Sequence, residues 1–137
     1  MSSRCLLVAD GIESASRSIA VALREAGIGC ETVSYGQLGT ARAADVVLLQ
    51  ISDADPAAVV WDLHRLGYST IVALSELPSS KECIRVLNSG ADFYIDAWAP
   101  LAEVVACVRV ALRNNMRMRS SGRHEIERET PPSSLWR

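Results

Sequence analysis

The chain has 137 residues, a formal net charge of −2, 49% hydrophobic and 22% charged residues. This is the composition of one globular domain, and it excludes disorder throughout. The charge-free stretch 46–52 is far shorter than the roughly 20 residues of a membrane span, and the net charge gives no electrostatic footprint for nucleic acid. We therefore expect a cytoplasmic domain that does not bind a membrane.

Five short apolar runs have the length and composition of strands, several of them buried on both faces. Segments of helical periodicity separate them, because apolar residues recur there at three- and four-residue spacing. The predicted strands are 5–8, 32–35, 46–51, 70–75 and 92–95. The predicted helices are 13–26, 56–66, 81–89 and 101–113, with a weak second helix within 36–44.

Glycines mark the ends of three predicted helices, at the position where a left-handed backbone closes a helix: Gly27, Gly67 and Gly90. In the fourth predicted helix, 81–89, we expect Cys83, Ile84 and Leu87 to face inward.

Alternation of strands and helices at these lengths predicts an α/β fold, because parallel strands need right-handed crossover connections. The expected architecture is a doubly wound, five-stranded parallel sheet with helices on both faces. In such sheets the chemistry lies at the carboxyl ends of the strands. Those ends carry Asp10, Gln50, Ser75 and Ala97 in this sequence.

The residues around the last two predicted strands resemble the receiver domains of two-component response regulators, in particular the OmpR/PhoB type. Residues 90–98, G-A-D-F-Y-I-D-A-W, align without a gap on the family pattern G-A-D-D-Y-L-x-K-P. Residues 45–50, D-V-V-L-L-Q, resemble the family's D-L-V-L-L-D, and residues 6–10, L-L-V-A-D, its L-x-V-D/E-D. The resemblance covers residues 4–113 and implies the flavodoxin-like, CheY-like (βα)5 fold.

An active receiver accepts a phosphoryl group on an aspartate after its third strand, assisted by magnesium on two acidic residues and by a lysine. Here Gln50 stands at the acceptor position, Ala9 replaces the first acidic residue and Ala97 replaces the lysine, while Asp10 and Ser75 keep the family's residue types. The resemblance therefore implies a degenerate phosphorylation site: a pseudo-receiver, not an enzyme, without a cofactor or a metal beyond residual binding at Asp10.

Several residues near the acceptor position have two interpretations. Ser75 and Tyr94 keep the family's switch residue types, and the alternative is plain packing and hydrogen bonding. Asp10 either retains residual metal binding or caps the following helix. A displaced acceptor at Asp53 or Asp55 would lack the lysine that stabilises transferred charge, and Asp55 before a proline is better explained as a helix N-cap.

In OmpR/PhoB-type receivers the fourth helix, fifth strand and fifth helix form a dimer face rich in salt bridges. By this resemblance, apolar residues here replace charged ones, which implies a homodimer that needs no phosphate, with Trp98 as an aromatic anchor. Alternatively, Trp98 and Phe93 fill the gap between the fifth strand and the fourth helix. The predicted interface is Cys83, Arg85, Phe93, Trp98, Glu103, Cys107 and Arg109.

Residues 114–137 differ from the rest, with five Arg against three Glu and with Gly, Pro and Ser but no apolar periodicity. We expect a flexible linker that leads into a winged-helix DNA-binding domain, or else the tail of a single-domain protein. The four cysteines, Cys5, Cys30, Cys83 and Cys107, have no zinc-like spacing and are expected to be small buried hydrophobes, with a redox role conceivable for Cys83 or Cys107.

These features favour a phosphorylation-independent receiver that controls dimerisation of a DNA-binding transcription regulator in two-component-type signalling. DNA would be bound only through a C-terminal effector domain. The alternatives are a stand-alone adaptor for another protein and a pseudo-receiver that senses a small ligand.

Overall fold

A computed structural model describes residues 3–9, 14–40, 43–51 and 55–121. Within these ranges, strands and helices alternate, as predicted. In chain order they are β1 (Arg4–Val8), α1 (Ser14–Glu25), β2 (Gly29–Val33), a short 3-10 helix (Tyr35–Thr40), β3 (Val46–Gln50), α2 (Pro56–Arg65), β4 (Ile71–Ser75), α3 (Ser80–Asn88), β5 (Phe93–Asp96) and α4 (Leu101–Ser121).

The five strands form one parallel sheet in the order β2-β1-β3-β4-β5. The predicted fold class, a doubly wound five-stranded parallel sheet, is confirmed. The chain reverses its direction of winding between β1 and β3, so the connections from these neighbouring strands leave towards opposite faces. All residues of β3 and β4 are buried, which explains their unbroken apolar sequences.

Each face of the sheet carries its own apolar cluster. On one face, Leu7, Leu48 and Leu74 pack against α1 and α4. On the other face, alternate residues of the same strands, such as Leu49, pack against α2 and α3. Leu63 of α2 belongs to this cluster. Full burial of each such side chain stabilises the fold by about 1.5–3 kcal/mol. Among the described residues, no helix is long and apolar enough to cross a membrane.

The second strand and the second helix differ from the prediction. β2 begins at Gly29 and ends at Val33, whereas the sequence predicted 32–35. Its only buried residue is Val33, because β2 is an edge strand, so apolar content gave little signal. The weak helix within 36–44 is a six-residue 3-10 helix that begins at Tyr35.

The last helix continues eight residues beyond the predicted end at Arg113. Asn115 explains the extension, since it is buried and its Oδ1 accepts a hydrogen bond from Thr70 Oγ1 at 3.1 Å. This polar contact anchors the later part of α4 to the start of β4. The spacing of apolar residues could not predict this contact, because the side chain that makes it is an amide.

The three predicted helix C-caps are confirmed, whereas one residue of α3 that was predicted to face inward is exposed. Gly27, Gly67 and Gly90 all have positive φ, at 84°, 100° and 119°. On α3, however, Ile84 is 60% exposed and Val86 is fully buried. Residues two apart lie on opposite sides of a helix, so α3 could bury only one of them.

Two leucines on α2 provide a matched test of this packing. Leu63 is fully buried, whereas Leu66 at the helix end is 50% exposed. We expect Leu63→Ala to lower the free energy of unfolding by about 2–5 kcal/mol, because the cavity it leaves adds to the lost burial, and Leu66→Ala to lower it by about 0.5 kcal/mol. Urea denaturation of both variants beside the parent measures this. Equal losses would contradict the placement of α2.

Candidate functional site

The predicted site residues lie along the carboxyl edge of the sheet. Gln50 ends β3 and Ser75 ends β4, while Ala9 and Ala97 directly follow β1 and β5. Backbone hydrogen bonds continue the sheet through the alanines: Ala97 N donates to Ser75 O at 2.8 Å, and Ala9 N to Val33 O at 2.9 Å. The sheet thus brings these four together. Asp10 and Asp53 lie outside the described residues.

Gln50 is held at the centre of this edge and is only 2% exposed. Its Oε1 accepts a hydrogen bond from Ser16 Oγ of α1 at 3.1 Å. Its backbone oxygen accepts one from the Tyr35 hydroxyl at 2.8 Å. The side-chain Nε2 has no hydrogen-bond partner among the described residues. Gln50 therefore ties α1 and the 3-10 helix to the end of β3, and its amide oxygen is already engaged.

Among the described residues of this edge, the positions that directly follow β1 and β5 offer neither a carboxylate nor a cation. Ala9 and Ala97 are 4% and 3% exposed, so their small side chains are enclosed. A magnesium ion needs several hard oxygen ligands, usually carboxylates. Ala9 has no side-chain oxygen and the Gln50 amide oxygen is bonded to Ser16. No group of three or more His, Cys, Asp or Glu close enough to hold a metal occurs among the described residues. These residues do not fit the magnesium site of an active receiver.

Asp55 serves structure at this edge. Its Oδ1 accepts a hydrogen bond from Ala57 N at 3.1 Å, which confirms the predicted N-cap of α2. The same oxygen lies 2.9 Å from Arg85 Nη2 of α3. Both side chains are about half exposed, so the ion pair contributes at most about 1 kcal/mol. This carboxylate is occupied, and the contact directs Arg85 towards α2.

Ser75 and Tyr94 converge on one acceptor that the sequence analysis missed. Ser75 Oγ and the Tyr94 hydroxyl each donate to Glu82 Oε1, both at 2.6 Å. The Tyr94 hydroxyl in turn accepts from Ser79 N at 3.1 Å. Partial burial first, and then the hydrogen bond to Glu82, raise the pKa of Tyr94, so its hydroxyl stays a donor at neutral pH. We call Ser75, Glu82 and Tyr94 the Glu82 network.

The sequence contains a pattern that could have identified Glu82 as a residue with a local hydrogen-bonding role. Ser79 and Glu82 have the spacing of a capping box, in which the N-cap side chain bonds the third helical N–H and the acid returns to the cap. The first half is present, since Glu82 N donates to Ser79 Oγ at 3.1 Å. The second half is replaced: Ser79 N donates to Tyr94, and the Glu82 carboxylate turns towards the strand ends. The motif located the residue but not its role.

The predicted interface residues fall into two groups. Trp98, Glu103 and Arg109 are exposed, and Arg85 is exposed but paired with Asp55. Cys83, Phe93 and Cys107 are only partly exposed, and the last two pack against the cluster under α4. Burial raises the pKa of the Cys107 thiol to about 11, so little of it is ionised at neutral pH. Because Trp98 is 58% exposed, it does not fill the gap beside the fifth strand.

Three large apolar side chains form an exposed set near this edge, which we call the outer apolar set: Leu77 (86% exposed), Ile84 (60%) and Trp98 (58%). Ser75 at the end of β4 pairs with Asp96 at the end of β5. Leu77 lies two residues after Ser75, and Trp98 lies two residues after Asp96. The two side chains therefore project from loops at the ends of neighbouring strands. Ile84 lies on the outer side of α3, whereas the sequence predicted it to face inward, and the exposure of Trp98 agrees with the first of the two interpretations given for it.

Comparison with known proteins gives the fold. No protein-family model matches the sequence, and no curated protein does. Among solved structures, a CheY-like receiver domain protein of Methanospirillum hungatei is 18% identical with a TM-score of 0.74, covering 85% of this chain and 98% of its own. The BeF3-activated N-terminal receiver domain of Klebsiella pneumoniae RstA is 27% identical with a TM-score of 0.71, covering 80% and 98%. An orphan response regulator of H. pylori is 22% identical with a TM-score of 0.69, covering 82% and 98%.

The chain therefore has the fold of response-regulator receiver domains. Nearly the whole length of each of these structures is matched, and the described residues hold one such fold from β1 to α4.

Removing the central acceptor tests the Glu82 network. We expect Glu82→Ala to lower the free energy of unfolding by about 1–3 kcal/mol, because two partly buried hydroxyls lose their charged acceptor. Glu25→Ala, which removes an exposed acid of α1, is the control and should change it by about 0.5 kcal/mol or less. A double-mutant cycle with Tyr94→Phe, followed by urea denaturation, measures the coupling. Zero coupling would show that the network adds nothing.

Proposed function

We propose that this chain is a pseudo-receiver: a receiver domain of a response regulator that works in two-component-type signalling without being phosphorylated. Its role in this proposal is to set the dimeric state of a DNA-binding transcription regulator of the OmpR/PhoB type. DNA is contacted by an effector domain, not by the receiver fold itself.

The observation that carries the proposal is the state of Gln50. An amide is not a nucleophile for phosphoryl transfer, and its nitrogen cannot displace a leaving group as a carboxylate does. The side chain is buried and its oxygen is bonded to Ser16. Phosphoryl transfer also needs charge neutralisation on the moving oxygens, which Ala9 and Ala97 cannot supply. The parts missing from the site all belong to one reaction.

The Glu82 network supports a fixed rather than a switchable state. In a receiver that signals by phosphorylation, the Ser or Thr after β4 binds the phosphoryl oxygens. Here Ser75 donates its hydroxyl to Glu82 instead, and Tyr94 donates to the same oxygen. A carboxylate of this chain therefore takes the acceptor role that a phosphoryl group would have, and it is covalently present at all times.

The outer apolar set supports dimerisation without phosphate. Leu77, Ile84 and Trp98 are exposed on or beside the face that the resemblance assigns to the dimer. Large aromatic side chains that become buried dominate interface energies. The charged residues Glu103 and Arg109 are also exposed on α4, and they supply a polar rim. We propose a homodimer through α3, β5 and α4.

The two alternatives predict different behaviour. A ligand-sensing pseudo-receiver needs an open pocket at the degenerate site, and the enclosure of Ala9 and Ala97 argues against one. A stand-alone adaptor would use the outer apolar set for another protein and would itself be monomeric.

Insensitivity to a phosphoryl mimic tests the first part of the proposal. We expect magnesium with beryllofluoride to leave both the light-scattering mass and the melting temperature of the chain unchanged, because no carboxylate at the acceptor position can bind the mimic. The RstA receiver domain, which exists in a BeF3-activated form, is the positive control. A chain that is monomeric alone and dimerises when magnesium and beryllofluoride are added would overturn the proposal that it is a pseudo-receiver.

Paired tryptophan variants test the dimer face. Trp98 and Trp61 are similarly exposed, at 58% and 62%, but Trp61 lies on α2, away from the proposed interface. We expect Trp98→Ala to raise the dimer dissociation constant at least about 10-fold, and Ile84→Ala to raise it less, because anchors buried on association carry most of the binding energy. Trp61→Ala should leave it unchanged. Sedimentation equilibrium measures all three, and a monomeric parent chain would favour the adaptor.

A further inference from the structure

Two cysteines that are 25 residues apart in the chain occupy opposite positions in neighbouring strands. Cys5 of β1 pairs with Cys30 of β2 in the parallel register. Adjacent strands lie about 4.8 Å apart and paired residues project to the same face. That separation falls within the roughly 4.4–6.8 Å between Cα atoms that disulfides bridge. The sheet therefore places the two sulfur atoms within reach of each other.

The surroundings of the two thiols are unequal. Cys5 is 1% exposed and belongs to the apolar cluster under α1 and α4, whereas Cys30 is partly exposed and packs at the rim of that cluster. Arg24 of α1 reaches this rim, where its Nη2 donates to the Cys30 carbonyl oxygen at 3.4 Å. Cys30 is therefore the less buried of the two cysteines and the one that an oxidant in solution meets first.

The two thiols affect each other's pKa across the strand pair, through a hydrogen-bond interaction. This bond, opposed by partial burial and aided by the Arg24 charge, lowers the pKa of Cys30. The same bond, together with burial, raises the pKa of Cys5 well above its ordinary value. A partly exposed thiol whose pKa is lowered, beside a buried thiol whose pKa is raised, is the arrangement of an attacking and a resolving cysteine.

We propose that Cys5 and Cys30 form a reversible oxidation site for hydroperoxides. The Cys30 thiolate attacks the terminal peroxide oxygen and the O–O bond breaks. The leaving oxygen takes up a proton as an alcohol, or as water from hydrogen peroxide, and Cys30 is oxidised by two electrons to a sulfenic acid. The Cys5 sulfur then attacks the Cys30 sulfur; the S–S bond forms, the S–O bond breaks, and hydroxide leaves with the Cys5 proton as water.

This site is separate from the degenerate phosphorylation site. Cys5 precedes Ala9 by four residues, about 13 Å along β1. The disulfide would join the edge strand β2 to the buried β1. Both sulfurs are held in position by the sheet register rather than by flexible loops.

The test is oxidation of the full 137-residue chain with hydrogen peroxide, quenching with an alkylating reagent, and mass spectrometry. We expect two alkylated thiols instead of four, a mass loss of about 2 Da before alkylation, and a disulfide between tryptic peptides 5–17 and 25–42 that dithiothreitol removes. Cys83→Ser combined with Cys107→Ser is the matched control and should still form the bridge.

Single variants separate the two roles. Cys5→Ala should leave a Cys30 sulfenic acid that dimedone traps, and Cys30→Ser should abolish oxidation at both positions. Circular dichroism of each variant verifies folding, and the parent chain gives the decisive readout if Cys5→Ala does not fold. Four alkylated thiols after peroxide treatment, or a bridge that involves Cys83 or Cys107, would overturn the proposal.

Discussion

The parallel sheet between two helical layers is the constraint on which the rest of this molecule depends. Parallel strands require crossovers, crossovers cover both faces, and only the strand ends remain for chemistry. All of β3 and β4 is buried, so the side chains that close these strands meet at one edge whatever their chemistry. Gln50 and Ser75 therefore lie in one neighbourhood with Ala9 and Ala97, although 88 residues separate the two alanines.

At the described strand ends of this edge, the uncharged side chains of Gln50, Ala9 and Ala97 stand where the resemblance expects charged ones. Several carboxylates close together repel unless a cation neutralises them. An amide at position 50 and alanines at 9 and 97 remove both the repulsion and the need for the cation. Ser16 and Tyr35 fix Gln50 at this edge through hydrogen bonds to its side-chain and backbone oxygens.

Sequence patterns predicted the elements that are buried on both sides and failed where burial is one-sided or polar. β3 and β4 were placed within a residue of their observed bounds, because continuous apolar runs have no other stable setting here. β2 lies at the sheet edge, and α4 is extended through Asn115, so apolar content carried little information about either. The strand ends place Ala9, Gln50, Ser75 and Ala97 along one edge, whereas Glu82 and the Cys5–Cys30 pair depend on contacts across the fold.

Glu82 links the edge of the sheet to the outer face of α3. Its carboxylate is fixed by Ser75 and Tyr94 at the strand ends, and Ile84 follows two residues later on the opposite side of the same helix. A hydrogen bond that holds α3 against β4 and β5 therefore also fixes how Ile84 is presented to solvent. In a phosphorylated receiver such an arrangement would last only as long as the phosphoryl group. A carboxylate within the chain is present with or without a phosphoryl group, so the hydrogen bonds that hold α3 to the ends of β4 and β5 need no modification of the chain.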